Sequence, residues 1–429
     1  MVYCRQSDLK PKIVSKGGGY KYLFDLVINN CSALINYEFH NNIQVGIVAN
    51  RIKTIQEHTS SAGVQKINLN GETTIDAKGL LLLPGFVDLQ LNGNKGKLFH
   101  DCVDAKEVIS LLMPFMHRGT TSVMITLISP NLSQIKNTIN ILNSLGEEPF
   151  GSMVIGLHLE GPLISDQKPG IHHKPNFKSI LPASIIKELS KLTSHFFVMI
   201  TLAPEVVTTK YIDMLIQSNI NVAVGHTSAS YETAKKAIEH KAAFGTHLFN
   251  AMNPLSARTP GVLGAFLTDD TAYVSFIADK AHLHKASIDL IRKAKPIEKL
   301  VLISDALAYG KGNLKPVKIG DRTAFYKNNR YVSVPLDEKE NRNLRLQLAG
   351  SSISLLEAVK NCVNDYGFGR EEAINMATLN PASYLALNSE KSDRPLVGHI
   401  QEENIANLIL TDPQFDIKQV IFEGKLVPH

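Results

Sequence analysis

Four apolar runs in this 429-residue chain end in a side chain that can bind a metal ion or move a proton. GLHLEGP carries Glu160 where Gly161 and Pro162 break a strand, NVAVGHT ends near His226, FGTHLFNAM holds His247, and LVLISDAL delivers Asp305. Two imidazoles and one carboxylate are donors that a catalytic divalent ion takes while keeping one position open for water. A second carboxylate beside such an ion is placed to accept the water's proton and deliver it to a leaving group, the role Asp305 would fill. Each residue alone has a plainer reading, a structural histidine or, for Asp305, a helix cap. Their shared place at strand ends favours chemistry. Zinc is the first expectation, and Fe, Co or Mn take the same donors.

Residues so far apart in sequence meet only where many strand ends converge. From Leu83 onward, apolar strands alternate with amphipathic helical stretches such as Ala183 to Leu192. Eight strand candidates follow in order: LPGFVDLQL, TTSVMITLI, MVIGLHLE, HFFVMITLA, INVAVGH, AAFGTHLF, YVSFIAD and KLVLISDA. This is the pattern of an α/β (β/α)8 TIM-type barrel, whose active site lies at the C-terminal ends of the strands. The first strand presents Gln90 and Asn92 where a second ion would need His-x-His. Amides ligate poorly beside imidazole, so one ion is expected, with Gln90 and Asn92 lining the site and Asp88 bracing the strand end.

Residues 1–82 read as short β-strands, and the tail at 395–429 returns to strand character. The two ends together are expected to build a small β-sandwich domain beside the barrel at 83–394. A polar insertion, Tyr309 to Arg345, is expected to form hairpins, and helical sequence follows it.

A hydrophobic fraction of 44% and a charged fraction of 20% are those of a soluble globular protein. No apolar run nears the ~20 residues of a membrane helix, and MVYCRQSDLKPK lacks a signal peptide's apolar segment. A cytoplasmic protein without membrane contact is expected. Cys4, Cys31, Cys102 and Cys362 are scattered and form no CxxC pair, so reduced structural thiols are expected. The net charge of +5 is dispersed, not gathered in a basic, aromatic-lined stripe, which argues against nucleic acid.

LPGFVDLQLNG, GLHLEGP, GIHHKPNF, GHTSA, GTHLFNAMNPLSARTPG, ADKAHLH, LISDAL and AGSSISLLEAVKN together resemble the N-acetylglucosamine-6-phosphate deacetylase family of the amidohydrolase superfamily. The resemblance implies metal ligation by Glu160, His226 and His247, with Asp305 as general base and acid. It assigns His172 of GIHHKP to the acetamido carbonyl beside Ile171, and gives phosphate and sugar to Asn250, Ala251, Arg258, Asp279 and His282. Leu348, Ala349 and Gly350 would close over the acetyl group. It further implies hydrolysis of an N-acetyl amino sugar 6-phosphate and a homodimer. GIHHKPNF is one residue longer than the family's pattern, and Lys280 and Ser256-Ala257-Arg258 also depart from it, at the sugar end. N-acetylgalactosamine 6-phosphate or an N-acyl amino acid therefore stand as alternative substrates, and a non-catalytic barrel scaffold as the rival of another class. His284 is read as a helix-start residue.

Overall fold

In a computed structural model, residues 12–16, 19–57, 69–310, 314–336, 346–386 and 397–428 are described. Eight strands form one parallel sheet in sequence order: β1 (Phe86–Leu91), β2 (Thr120–Ile128), β3 (Val154–Glu160), β4 (Phe197–Leu202), β5 (Asn221–Val224), β6 (Phe244–Gly245), β7 (Tyr273–Phe276) and β8 (Leu300–Leu302). Helices join them, among them Ala105–Met116, Leu132–Ser144, Ala183–Leu192, Tyr231–Glu239 and Lys285–Ala294. Parallel strands demand such crossovers, and apolar helix faces cover the outside of the sheet. Leu355–Asn364 follows β8 across the insertion.

β8 and β1 share no ladder; they meet at an isolated parallel bridge between Leu91 and Ala306. Backbone bonds from Asp305 N to Gln90 O (2.8 Å) and from Asn92 N to Ala306 O (3.0 Å) complete the ring. The closure thus falls at the rim, where the sequence concentrates its polar residues. Strand alternation sends every second side chain inward, so Glu160 on the rim and His158 one layer below share the interior face of β3.

The second body is a nine-stranded sheet built from both chain ends. Leu408–Thr411 pairs antiparallel with Leu81–Pro84, which in turn lies beside the long strand Gly19–Ile35. The sheet curls: Ile52 near one edge and Ile421 near the other pack into one core with Ile28, Val45, Leu82 and Leu408. Ile52 N donates to Asn404 O (3.0 Å) and Ala406 N to Asn50 O (2.8 Å), so the segment that leads into Leu408–Thr411 is tied to the edge strand Arg51–Glu57. The chain crosses into the barrel at Gly85, and Leu34, Leu83, Ile409 and Phe422 join the barrel's apolar cluster.

The insertion forms antiparallel hairpins over Val317–Ile319, Arg322–Lys327, Arg330–Pro335 and Gln347–Leu348. Part of it, residues 311–313 and 337–345, lies outside the described residues, as do Cys4, the first 11 residues and the expected boundary at 394. Cys31, Cys102 and Cys362 are buried and free. Among the described residues no helix is long and apolar enough to cross a membrane.

Candidate metal centre

Glu160 ends β3; His226, His247 and Asp305 each follow the end of β5, β6 or β8 by two or three residues. All three of the latter adopt left-handed backbone, at φ 48°, 33° and 48°. That conformation costs a non-glycine residue about 1–3 kcal/mol and persists only where its surroundings enforce it. Ser129, after β2, does the same at φ 37°. The strained turns swing these side chains from the strand direction toward the barrel axis.

Glu160 is the hub. Its Oε1 lies 2.7 Å from His247 Nε2 and 3.3 Å from His226 Nε2, and its Oε2 lies 3.5 Å from His172 Nε2. One donor atom from each of Glu160, His226 and His247 falls within 4.8 Å of the others. His226 Nδ1 bonds the Lys168 carbonyl at 2.9 Å. A carbonyl only accepts, so Nδ1 carries a proton and Nε2 is the ring atom that faces the Glu160 carboxylate. A carbonyl holding the far nitrogen is also how ligating imidazoles are oriented. His247 Nδ1 and Asn92 Oδ1 are buried with no partner among the described residues. Both lie beside the cluster, where a bound ion, water or substrate would satisfy them. The donor set fits a divalent ion.

The first strand supplies amide donors. Gln90 Nε2 donates to Glu160 Oε1 (2.9 Å) and Asp305 Oδ1 (3.0 Å), and Asn92 Nδ2 donates to Asp305 Oδ1 (2.7 Å). The two carboxylates are driven apart in acidity. Burial alone would raise Glu160, but hydrogen bonds from His172, His226 and His247 outweigh it and hold the carboxyl well below its usual range. Burial, then the Glu160 charge, pushes Asp305 up to about 6. One carboxylate stays ionised while the other is poised to exchange a proton near neutrality. Burial pushes His172 down to about 4, leaving a neutral imidazole whose Nδ1 sits 2.7 Å from Ser129 Oγ.

Asn92, Glu160, His172, His226, His247 and Asp305 line a cavity of about 530 Å³ together with Ile171, Asn250, Ala251, His282, Leu348 and Gly350. The amidohydrolase family model matches residues 81–427 of this chain. The chain belongs to the amidohydrolase family. It is 31% identical over 358 residues to an N-acetylglucosamine-6-phosphate deacetylase of Haemophilus influenzae, spanning 83% of this chain and 88% of that one. It is also 31% identical over 353 residues to an N-acetylgalactosamine-6-phosphate deacetylase of a Shewanella species, spanning 81% and 83%. Among solved structures, N-acetylglucosamine-6-phosphate deacetylase from Pasteurella multocida matches with a TM-score of 0.81 at 27% identity, covering 94% of this chain and 100% of that one. The amidohydrolase barrel and the sheet-rich second body expected from sequence are therefore both present.

Of the adjacent pair in GIHHKP, His172 turns inward, 5% exposed, while His173 faces Asp321 Oδ1 at 3.1 Å. Gly170, at φ 56°, brings that loop so close that a Cβ there would meet the His226 ring at 2.9 Å. His282 lines the cavity backed by Asp279: Asp279 Oδ2 lies 2.8 Å from His282 Nδ1, and its Oδ1 accepts from the Ala281 and His282 backbone N–H groups. Burial would lower His282, but the Asp279 charge outweighs it and raises the imidazole above its usual value. The Asn250 backbone N–H is used within its own turn, on His247 O (3.0 Å). Gln90, Asp279 and Ala349 stand behind the lining rather than in it, and Arg258 lies exposed outside it. His284 caps Lys285–Ala294, its Nδ1 accepting from Ala286 N.

Sequence reasoning missed Lys168, Lys174, Asp321 and Arg322, which also line the cavity, and Ser129 behind His172. Nothing local marks the loop and hairpin residues. It also missed a polar belt one layer down: His158 Nδ1 to Thr126 Oγ1 (3.3 Å), His158 Nε2 to Thr201 Oγ1 (2.7 Å), and Thr201 to Thr246 (2.8 Å). Here a signal existed, since His158 shares the inward phase of Glu160 two residues on.

Proposed function

We propose that this protein hydrolyses the N-acetyl amide of N-acetyl-D-glucosamine 6-phosphate, releasing acetate and glucosamine 6-phosphate. The observation that carries the reading is the carboxylate pair of opposite acidity around a Glu160–His226–His247 cluster, in a chain whose relatives are amino-sugar-phosphate deacetylases. Glu160, His226 and His247 would hold one divalent ion, zinc by preference, which when bound supplies Lewis acidity toward water and the acyl carbonyl. Asp305 accepts the proton of the attacking water, while Gln90 and Asn92 fix its carboxylate. Neutral His172 donates Nε2–H to the carbonyl oxygen as negative charge grows there; Ser129 Oγ on Nδ1 is compatible with that tautomer. Asp305 then returns the proton to the departing amine nitrogen, which completes the hydrolysis.

Substrate orientation falls to His282, Asn250 and Ala251, with Leu348 and Gly350 bounding the acyl end. Arg258 is not among the residues that line this cavity, so a phosphate role for it would need a partner subunit, as in the homodimer that the family resemblance implies. The epimeric N-acetylgalactosamine 6-phosphate is a second reading, favoured by the Shewanella relative. Acetate release from the two epimers and from unphosphorylated N-acetylglucosamine tests all of this. Release from the gluco epimer supports the proposal, release from the galacto epimer alone reassigns the substrate, and no release from any overturns the deacetylase reading.

A further inference from the structure

We propose that Asp88 is a positioning residue for catalysis: its carboxyl ties the first barrel strand to the eighth and so sets where the Asp305 carboxylate and the Gln90 amide stand. β8 and β1 share no ladder here, only the Leu91–Ala306 bridge and the backbone bonds beside it. Asp88 is fully buried, and its Oδ1 accepts from two backbone N–H groups on opposite sides of that seam, Gln90 N and Ser304 N, each at 3.2 Å. Gln90 O in turn accepts from Asp305 N (2.8 Å) and Ser304 Oγ (3.2 Å). Residues 88, 90, 304 and 305 thus form a closed set of hydrogen bonds. From it project the Gln90 amide, which touches both Glu160 and Asp305, and the Asp305 side chain itself.

Two further observations point to position rather than stability. Asp305 sits at φ 48°, a conformation its neighbours must enforce. Asp88 Oδ2 is buried with no partner among the described residues, and an unmet buried polar atom costs about 1–3 kcal/mol. A group that adds such a cost at a strand junction is better explained by what it aligns. Burial also pushes this carboxyl up to about 7, so an uncharged amide of the same shape, which keeps the accepting oxygen, should replace it. Asp88 lines no part of the cavity and acts only through Gln90 and residues 304–305.

The inference rests on the proposed hydrolysis for its kinetic readout alone. Asp88→Ala, Asp88→Ser and Asp88→Asn proteins, loaded with zinc, are compared with wild type for acetate release, metal content and amide hydrogen exchange over segments 86–92 and 300–306. Asp88→Ala should lower kcat by roughly 10- to 100-fold, the scale of an ångström-sized misplacement, with KM and metal content within about threefold of wild type. Exchange should rise in both segments together. Asp88→Asn should restore kcat to within about threefold and return exchange to the wild-type pattern. Wild-type kcat and exchange in Asp88→Ala would overturn the proposal, as would Asp88→Asn being as damaging as Asp88→Ala. If the alanine protein does not fold, Asp88→Ser against Asp88→Asn carries the same comparison, since serine is too short to bridge the seam. A wild type that releases no acetate counts against the substrate reading, while the exchange data still decide whether Asp88 is the brace.

Discussion

The floor of the cavity and its mouth are built on different principles. At the floor, Glu160, His226, His247 and Asp305 stand on or just past strand ends, each at most 8% exposed. Amides, carbonyls and strained turns fix them. At the mouth, Lys168, Lys174 and Arg322 come from a loop and a hairpin that share an apolar cluster through Ile171, Val317 and Ile319, while their polar contact, His173 to Asp321, is half-exposed, at 29% and 69%. The floor suits reaction, where misplacement is costly. The mouth suits recognition, where solvent screening keeps each contact small. Chemistry and specificity should therefore separate by depth.

The largest effects should come from the floor. Asp305→Asn keeps the shape but removes the proton acceptor, and turnover should fall by about 10²–10⁴-fold with little change in KM, as read from steady-state acetate release. His172→Ala removes one donor from the carbonyl oxygen and should lower kcat by about 10²–10³-fold. The pH profile sharpens the same point. In the proposed reaction Asp305 works as its deprotonated form, so activity should rise with pH through its ionisation, which burial and Glu160 place at about 6. A cation bound beside it moves that midpoint down, never up. A rising limb of kcat/KM centred near pH 8 would contradict the assignment. Smallest are the mouth changes: Lys174→Ala and Arg322→Ala should each raise KM by a factor of about two to five and leave kcat unchanged, an effect that shrinks with added salt. A large kcat effect from either would break the separation by depth.

The same division governs what could be read from sequence. The floor was legible because strand periodicity places its residues: a run such as VIGLHLE followed by Gly and Pro must end there, and eight such runs close one way. Asp88, too, reads as a brace, since an aspartate on a buried strand has few other uses. The left-handed turns at His226, His247 and Asp305 were not legible, because they are imposed by tertiary packing on residues with no intrinsic preference for them. Nor was the mouth. Asp321 and Arg322 lie 148 and 149 positions beyond His173, and only the folded hairpin brings them to one opening. Arg258 shows the converse side of distance. It follows His247 closely in sequence, yet its loop carries it out of the cavity.

Glu160, His226 and His247 together should hold one metal ion on which the reaction depends. The direct test strips the protein with chelator, adds back zinc, and measures bound metal and acetate release side by side for wild type and Glu160→Gln. The account predicts one ion per wild-type chain, activity rising in proportion to it, and neither retained by Glu160→Gln. Two ions per chain, or full activity in the metal-free protein, would contradict it.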